Sequence, residues 1–168
     1  MVTVRLVALS MDAMLLLLDG ELAAAGAAAG LELTDYFLTD EARWLWRLRI
    51  DQIRRDPASQ YWVARAAVDA QTGYVVGHAG FHGPPDGAGL VEVGYSVDPH
   101  YRRQGYAKAM LRELLERARL EPGVRRVRAS ISPDNTASLA TVRGFGFIEV
   151  GQQWDEQDGL ELIFEVSA

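Results

Sequence analysis

The chain has 168 residues, 49% of them hydrophobic and 24% charged, with a formal net charge of −6 at pH 7 and no cysteine. That length accommodates one domain with a substantial core. The missing thiols exclude disulfides, thiolate metal sites and a cysteine nucleophile, while the acidic balance argues against nucleic-acid binding.

Val2 to Leu9 alternates apolar and polar residues around Arg5 and reads as a first strand. Ser10 is placed to cap a short helix through Met11, Met14, Leu15 and Leu18, which Asp19-Gly20 stops. This apolar run is too short to span a bilayer and lacks a small-residue cleavage site, so no membrane partner and a cytoplasmic location are expected. The alanine-rich stretch ELAAAGAAAGLEL favours helix but carries Gly26 and Gly30, which predicts a loose helix or linker. Thr39 caps a predicted helix from Asp40 to about Arg55, with acids in its first turn and Arg54-Arg55 in its last. Trp44, Leu45, Leu48 and Ile53 give that helix an apolar face, and Trp46, partly off it, is expected to pack rather than to line an entrance.

Tyr61 to Val68 and Tyr74 to His82 read as two strands around a hairpin loop, Asp69 to Gly73. His78 and His82 share a face of the second, but two histidines without a third ligand do not make a metal site, and none is expected. GPPDGAG, Gly83 to Gly89, turns the chain into the run LVEVGYSV, where Val91, Val93, Tyr95 and Val97 alternate as a strand. Asp98-Pro99 ends it. RRQGYA follows, then Ala109, Met110, Leu111, Leu114, Leu115 and Ala118 at helical spacing. The chain therefore passes from strand to helix through a short basic loop with small residues, Gly105 and Ala107, at the helix entrance.

Anion binding is the chemistry suited to such an entrance. The first turn of a helix has amide donors without partners and a partial positive charge, and Arg102, Arg103 and Lys108 add charge nearby. Neither a GxxxxGK[ST] loop nor a dinucleotide GxGxxG is present. Downstream, Val124 to Ile131 supplies another strand, with Arg125, Arg126 and Arg128 as its exposed face. Asn135 opens a helix that ends at Gly144-Phe145. Phe147 to Val150 and Leu160 to Val166 are expected as a terminal strand pair joined by an acidic loop, WDEQDG, whose Asp155, Glu156 and Asp158 read by default as solvated. The order of elements predicts an α+β domain with a mixed sheet.

The segment VGYSVDPHYRRQGYAKAML resembles the acetyl-CoA-binding core of the GNAT superfamily of N-acetyltransferases, whose signature R/Q-x-x-G-x-G/A is met by Arg102, Gly105 and Ala107. A second block, NTASLATVRGFGF, is similar to that family's N-x-x-S/A helix ending in a G-F pair, and its N-x-x-S form is closest to the ribosomal-protein N-terminal acetyltransferases. Two blocks in the right order, about thirty residues apart, are far more specific than either alone. The resemblance implies a GNAT fold: a mixed, mostly antiparallel sheet of about six to seven strands flanked by helices, in one domain over residues 1–168.

It further implies an N-acetyltransferase that takes acetyl-CoA as cosubstrate and passes the acetyl group to a primary amine by direct attack in a ternary complex. Backbone amides of Val97 and of Arg103, Gln104, Gly105, Tyr106, Ala107 and Lys108 would hold the coenzyme, with Arg102, Asn135 and Ser138 beside it. Glu92, which shares strand parity with Gly94 and Ser96, is the candidate general base. Many members carry a tyrosine acid seven residues after the Asn of the second block. Here that residue is Val142, which leaves Ser138 or water to protonate the thiolate. The acceptor classes implied are a protein N-terminus, a polyamine, an aminoglycoside-like drug or a small metabolite, and a homodimer is in keeping with the family. The competing expectations are a non-catalytic acyl-CoA sensor or transfer of a different acyl group.

Overall fold

The computed structural model describes residues 1–168. In chain order its strands are β1 (Val4–Ala8), β2 (Arg65–Asp69), β3 (Val75–Phe81), β4 (Leu90–Val97), β5 (Arg126–Ile131), β6 (Ile148–Asp155) and β7 (Gly159–Ser167). The helices are α1 (Met11–Leu18), α2 (Leu22–Ala29), α3 (Asp40–Arg55), α4 (Tyr106–Leu120) and α5 (Thr136–Arg143). All seven strands join one sheet in the order β1-β2-β3-β4-β5-β7-β6. Every neighbouring pair is antiparallel except β4 and β5. This is the α+β GNAT fold, and no helix is long and apolar enough to cross a membrane.

The sheet is covered on both faces. On one, Met110, Leu111, Leu114 and Leu115 of α4 and Val142 of α5 pack against Val91, Val93, Val127 and Phe164. On the other, Met14 and Leu17 of α1 and Trp46, Ile50 and Ile53 of α3 pack against Ala66, Val68 and Val75. Double coverage explains why β2 and β3 are buried at every residue, with no solvent-facing alternation.

Local chemistry starts the helices where the sequence indicates. Ser10 accepts a hydrogen bond from the Ala13 amide (3.1 Å), and Thr39 accepts one from Ala42 (3.2 Å). Several expectations need correction. The alanine-rich stretch is a regular helix, α2, closed by Gly30 in the left-handed conformation. Gly26 is required inside it, because a Cβ there would lie 2.5 Å from the Leu31 carbonyl oxygen. The buried stripe of α3 is Ala42, Trp46, Arg49, Ile50 and Ile53, whereas Trp44 and Leu48 stay 42% and 37% exposed. Trp46 does pack, and its indole N–H donates to the Phe37 carbonyl (2.9 Å).

Residues 57–61 form a 3-10 turn, so β2 begins at Arg65 rather than Tyr61. The terminal strands are longer than expected and take in Trp154 and Asp155, leaving residues 156–158 as the turn. Arg126 and Arg128 are not a bare cationic face. Both donate to the Glu165 carboxylate, at 2.9 and 2.7 Å.

Candidate active site

β4 and β5 pair over three residues only, Leu90↔Arg126, Val91↔Val127 and Glu92↔Arg128. Beyond Glu92 the two strands separate. Even-numbered β4 residues bond to β3: the Glu92 carbonyl accepts from the His82 amide, and the Asp98 amide donates to the Val76 carbonyl. The backbone groups of Tyr95 and Val97 therefore face the gap left by β5. The gap is the floor of a cleft of about 840 Å³, lined from both layers of the molecule.

One side of the cleft is made by the loop into α4. Arg103 and Gly105 both have positive φ, +61° and +91°, which turns the chain sharply before the helix. Gly105 is the N-cap residue, so no side chain caps α4 and its first turn carries no acid. The amides of Tyr106, Ala107 and Lys108 are left without intrahelical partners, beside the charges of Arg103 and Lys108. Such an end holds phosphate oxygens.

Arg102 spends its Nε–H on the Val97 carbonyl (3.1 Å), which ties the loop back to β4. Gln104 does not line the cleft, and its side-chain amide donates to the His100 carbonyl (3.3 Å). Tyr106 turns inward, and its hydroxyl donates to Asp69 Oδ2 (2.8 Å) at the end of β2. Burial and the neighbouring carboxylate push the Tyr106 pKa up to about 12. Hydrogen bonds from Thr72 and Tyr106 hold the Asp69 carboxyl below the usual range.

Ser138 and Asn135 bound the same side from α5. Asn135 is the helix cap, its side-chain oxygen accepting from the Ser138 amide (3.1 Å). Ser138 lines the cleft next to Tyr95. The Tyr95 hydroxyl is buried without a well-formed hydrogen bond; burial raises its pKa and the adjacent Ser138 hydroxyl opposes that rise. Val142 is fully buried in the core and faces no cleft atom.

The opposite side is built from α3, the turn before it and β3. Tyr36 hydrogen-bonds the Ser96 hydroxyl across the cleft mouth. Asp98, buried at the end of β4, accepts from Thr34 Oγ1 (2.8 Å) and from the His100 amide (3.0 Å), so this turn is fastened to the strand. His78 sits among Tyr36, Phe37 and Trp46, with ring centroids 5.6, 5.7 and 5.1 Å away. Burial lowers its pKa to about 4, so it is neutral at pH 7.

Glu92 does not line the cleft itself. His82 lies between, lining the cleft with its Nδ1 3.7 Å from Glu92 Oε1. Burial and then the nearby Arg49 charge lower the His82 pKa, an effect moderated by the 44% of its side chain open to solvent. His78 and His82 gain no third metal-ligating neighbour. The structure thus brings Val97, Arg102, Arg103, Gly105, Tyr106, Ala107, Lys108, Asn135 and Ser138 to the cleft wall and leaves Gln104 and Glu92 behind it. Tyr36, Arg49 and His82 are cleft residues that carry no sequence motif, because only the pairing of β3 with β4 and the packing of α3 bring them there.

The sequence profile of the acetyltransferase (GNAT) family matches residues 27–147. A curated relative, the uncharacterized N-acetyltransferase YjdG of Bacillus subtilis, is 35% identical over 74 residues, 44% of this chain and 44% of that protein. The match therefore spans less than half of that relative. Among solved structures, a chimera of the spermidine N-acetyltransferase SpeG from Vibrio cholerae and hSSAT superposes with a TM-score of 0.66 at 16% identity, covering 98% and 95% of the two chains. RimL, a ribosomal L7/L12 alpha-N-protein acetyltransferase in complex with coenzyme A, gives 0.64 at 19% identity, covering 98% and 94%. At these identities the structural matches speak to fold alone.

Proposed function

The chain belongs to the acetyltransferase (GNAT) family, and from that premise we propose that it is an acetyl-CoA-dependent N-acetyltransferase that acts on a primary amine by direct attack in a ternary complex. The observation that carries this reading is the separation of β4 from β5, which opens a cleft onto the uncapped N-terminus of α4. Relatives in that fold are described with coenzyme A or as N-acetyltransferases, which supports the same coenzyme here. The residues present fit it. The amides of Tyr106, Ala107 and Lys108 in the first turn of α4 form a cradle for a pyrophosphate, and Gly105, at φ +91°, sets the turn that presents them. When bound, the coenzyme supplies an acyl thioester.

The remaining steps fall to this chain's own groups. The Val97 amide, at the open edge of β4, polarises the acyl carbonyl as a fixed backbone donor. An amine arrives as an ammonium and must lose a proton before it can attack. Glu92 is the base and His82 the relay: the neutral ring takes the amine's proton on its cleft side and releases its own N–H proton to the carboxylate, whose Oε1 lies 3.7 Å from Nδ1. On the far side, the Ser138 hydroxyl, with the buried Tyr95 hydroxyl behind it, donates a hydrogen bond to the departing sulfur.

The test is thiol release from acetyl-CoA over a panel of amines and N-terminal peptides. Glu92→Gln should slow release about 100-fold, the usual weight of a positioned base, with coenzyme affinity unchanged. Ser138→Ala should slow it more than Tyr95→Phe does, since the Tyr95 hydroxyl lies buried behind Ser138. Coenzyme binding with no thiol release from any amine would replace the enzyme reading with an acyl-CoA sensor.

A further inference from the structure

Arg49 is an arginine that the fold buries and then leaves short of partners. It projects from the buried stripe of α3 and is 8% exposed, yet it lines the cleft beside His82. Its Nη1 donates to Gln52 Oε1 (2.9 Å) and to the His82 carbonyl (3.3 Å). Its Nε and Nη2 donate to nothing in the protein, and no carboxylate comes within ion-pair distance of it. Glu92 acts on it only from further off, and burial lowers the guanidinium pKa to about 10, still charged at pH 7.

An enclosed cation without a paired anion is costly, and a fold tolerates it where a ligand completes the pair. The two nitrogens left over are also informative. Nε and Nη2 form one edge of the planar guanidinium, the edge that takes a carboxylate through two parallel hydrogen bonds. Arg65 is buried to the same degree but lies outside the cleft, with its Nη2 engaged by the Tyr61 carbonyl (2.6 Å). Burial alone therefore does not single out Arg49; its place in the cleft does.

We propose that Arg49 binds a carboxylate of the acceptor, so that the amine acetylated belongs to a molecule carrying a carboxylate, either a free amino acid or an acidic peptide N-terminus. The inference rests on the N-acetyltransferase reading for the word acceptor, but the binding site it assigns does not. With the ammonium held near His82 and the carboxylate on Arg49, both charged ends of such a molecule meet their complements on the α3 side of the cleft. Polyamines, which bring only positive charge, would face Arg49 unfavourably.

The experiment is calorimetric binding to the whole protein in the presence of coenzyme A, using matched probes. These are leucine against leucinamide, phenylalanine against phenylalaninamide, and a peptide whose second residue is aspartate against the same peptide with asparagine. The wild type should bind the carboxylate member of at least one pair about tenfold or more tightly, the worth of one charged hydrogen-bonded contact. Arg49→Gln should collapse that ratio towards one, and Arg49→Lys, which keeps charge but loses the fork, should restore part of it. Thermal unfolding and coenzyme affinity of each variant separate a lost contact from a lost fold. Preference in the peptide pair alone would make the source a protein N-terminus; preference in the amino-acid pairs would make it a small molecule. If the carboxylate preference exists and vanishes with Arg49 but no acetyl transfer follows, the site stands and the transferase reading falls. If no pair shows carboxylate-dependent binding, or the preference survives Arg49→Gln, the proposal is overturned even where transfer is observed.

Discussion

The two sides of the cleft are built from different materials. On the α4 side the cleft wall is made of backbone amides and small residues, carried by two short stretches, Tyr95 to Lys108 and Asn135 to Ser138. On the α3 side they are side chains, Tyr36, Arg49, His78 and His82, backed by Glu92 and drawn from three elements distant in sequence. A site made of backbone depends on the chain's path, so it tolerates different side chains but not a change of turn. A site made of side chains depends on packing, so its chemistry can change one residue at a time while the fold stays. The first side suits a ligand common to a family and the second a ligand particular to one member.

The sharpest way to break that contrast is at Gly105. Its φ of +91° disfavours any residue with a Cβ, and a Cβ there would meet Val2 Cγ2 at 3.0 Å. Gly105→Glu adds left-handed strain of about 1–3 kcal/mol and a negative charge at the anion-binding end of the helix. Coenzyme affinity should fall about 100-fold or more, measured by calorimetry. Gly105→Asn should weaken binding less, since asparagine adopts the left-handed region more readily. Equal losses for both would show that the turn's conformation matters more than charge.

The scaffold behind the α3 side can be probed at Gly26. Alanine in the middle of a helix is ordinarily better than glycine by about 1 kcal/mol. Here the added Cβ would lie 2.5 Å from the Leu31 carbonyl oxygen, a backbone atom that cannot swing away. Gly26→Ala should therefore destabilise the protein by about 1–3 kcal/mol, read as a lower thermal midpoint. A raised midpoint would mean that the chain after α2 yields easily and that this side is looser than its packing indicates.

The same division governs what could be read from residues alone. The turn into α4, with its arginine, glycine and alanine at fixed spacing, is legible because neighbours in sequence are neighbours in the site. So are the caps Ser10 and Thr39, which act within three residues. The buried face of α3 was not legible: the stripe through Trp44, Leu45 and Leu48 also has helical spacing, and the charge of Arg49 disguises the true one. β6 escaped in part because Ile148 to Trp154 is exposed on both faces and so shows no useful alternation. Strand parity groups Glu92 with Gly94 and Ser96 but could not reveal that His82 stands between it and the cleft. That requires the register of β3 against β4.

The smallest effect is expected where the two materials meet, at Tyr106. Its amide belongs to the backbone cradle, while its hydroxyl fastens the turn to Asp69 at the end of β2. Tyr106→Phe should cost about 1 kcal/mol, one net hydrogen bond, and weaken coenzyme binding by no more than a few-fold. Its pH dependence separates this contact from general loosening. The Asp69 carboxyl is held below its ordinary value, so its contribution is present above the unfolded carboxylate range near pH ~4 and is lost as pH falls through the folded value. The Tyr106 pKa is raised to about 12, so its contribution is complete below the unfolded tyrosine value and is lost as pH rises through about 12. The difference in thermal midpoint between wild type and Tyr106→Phe should therefore be flat between about pH 5 and 9, and shrink at both extremes. A difference that stays constant below pH ~4 would show that Tyr106 contributes by filling space and not by its bond to Asp69.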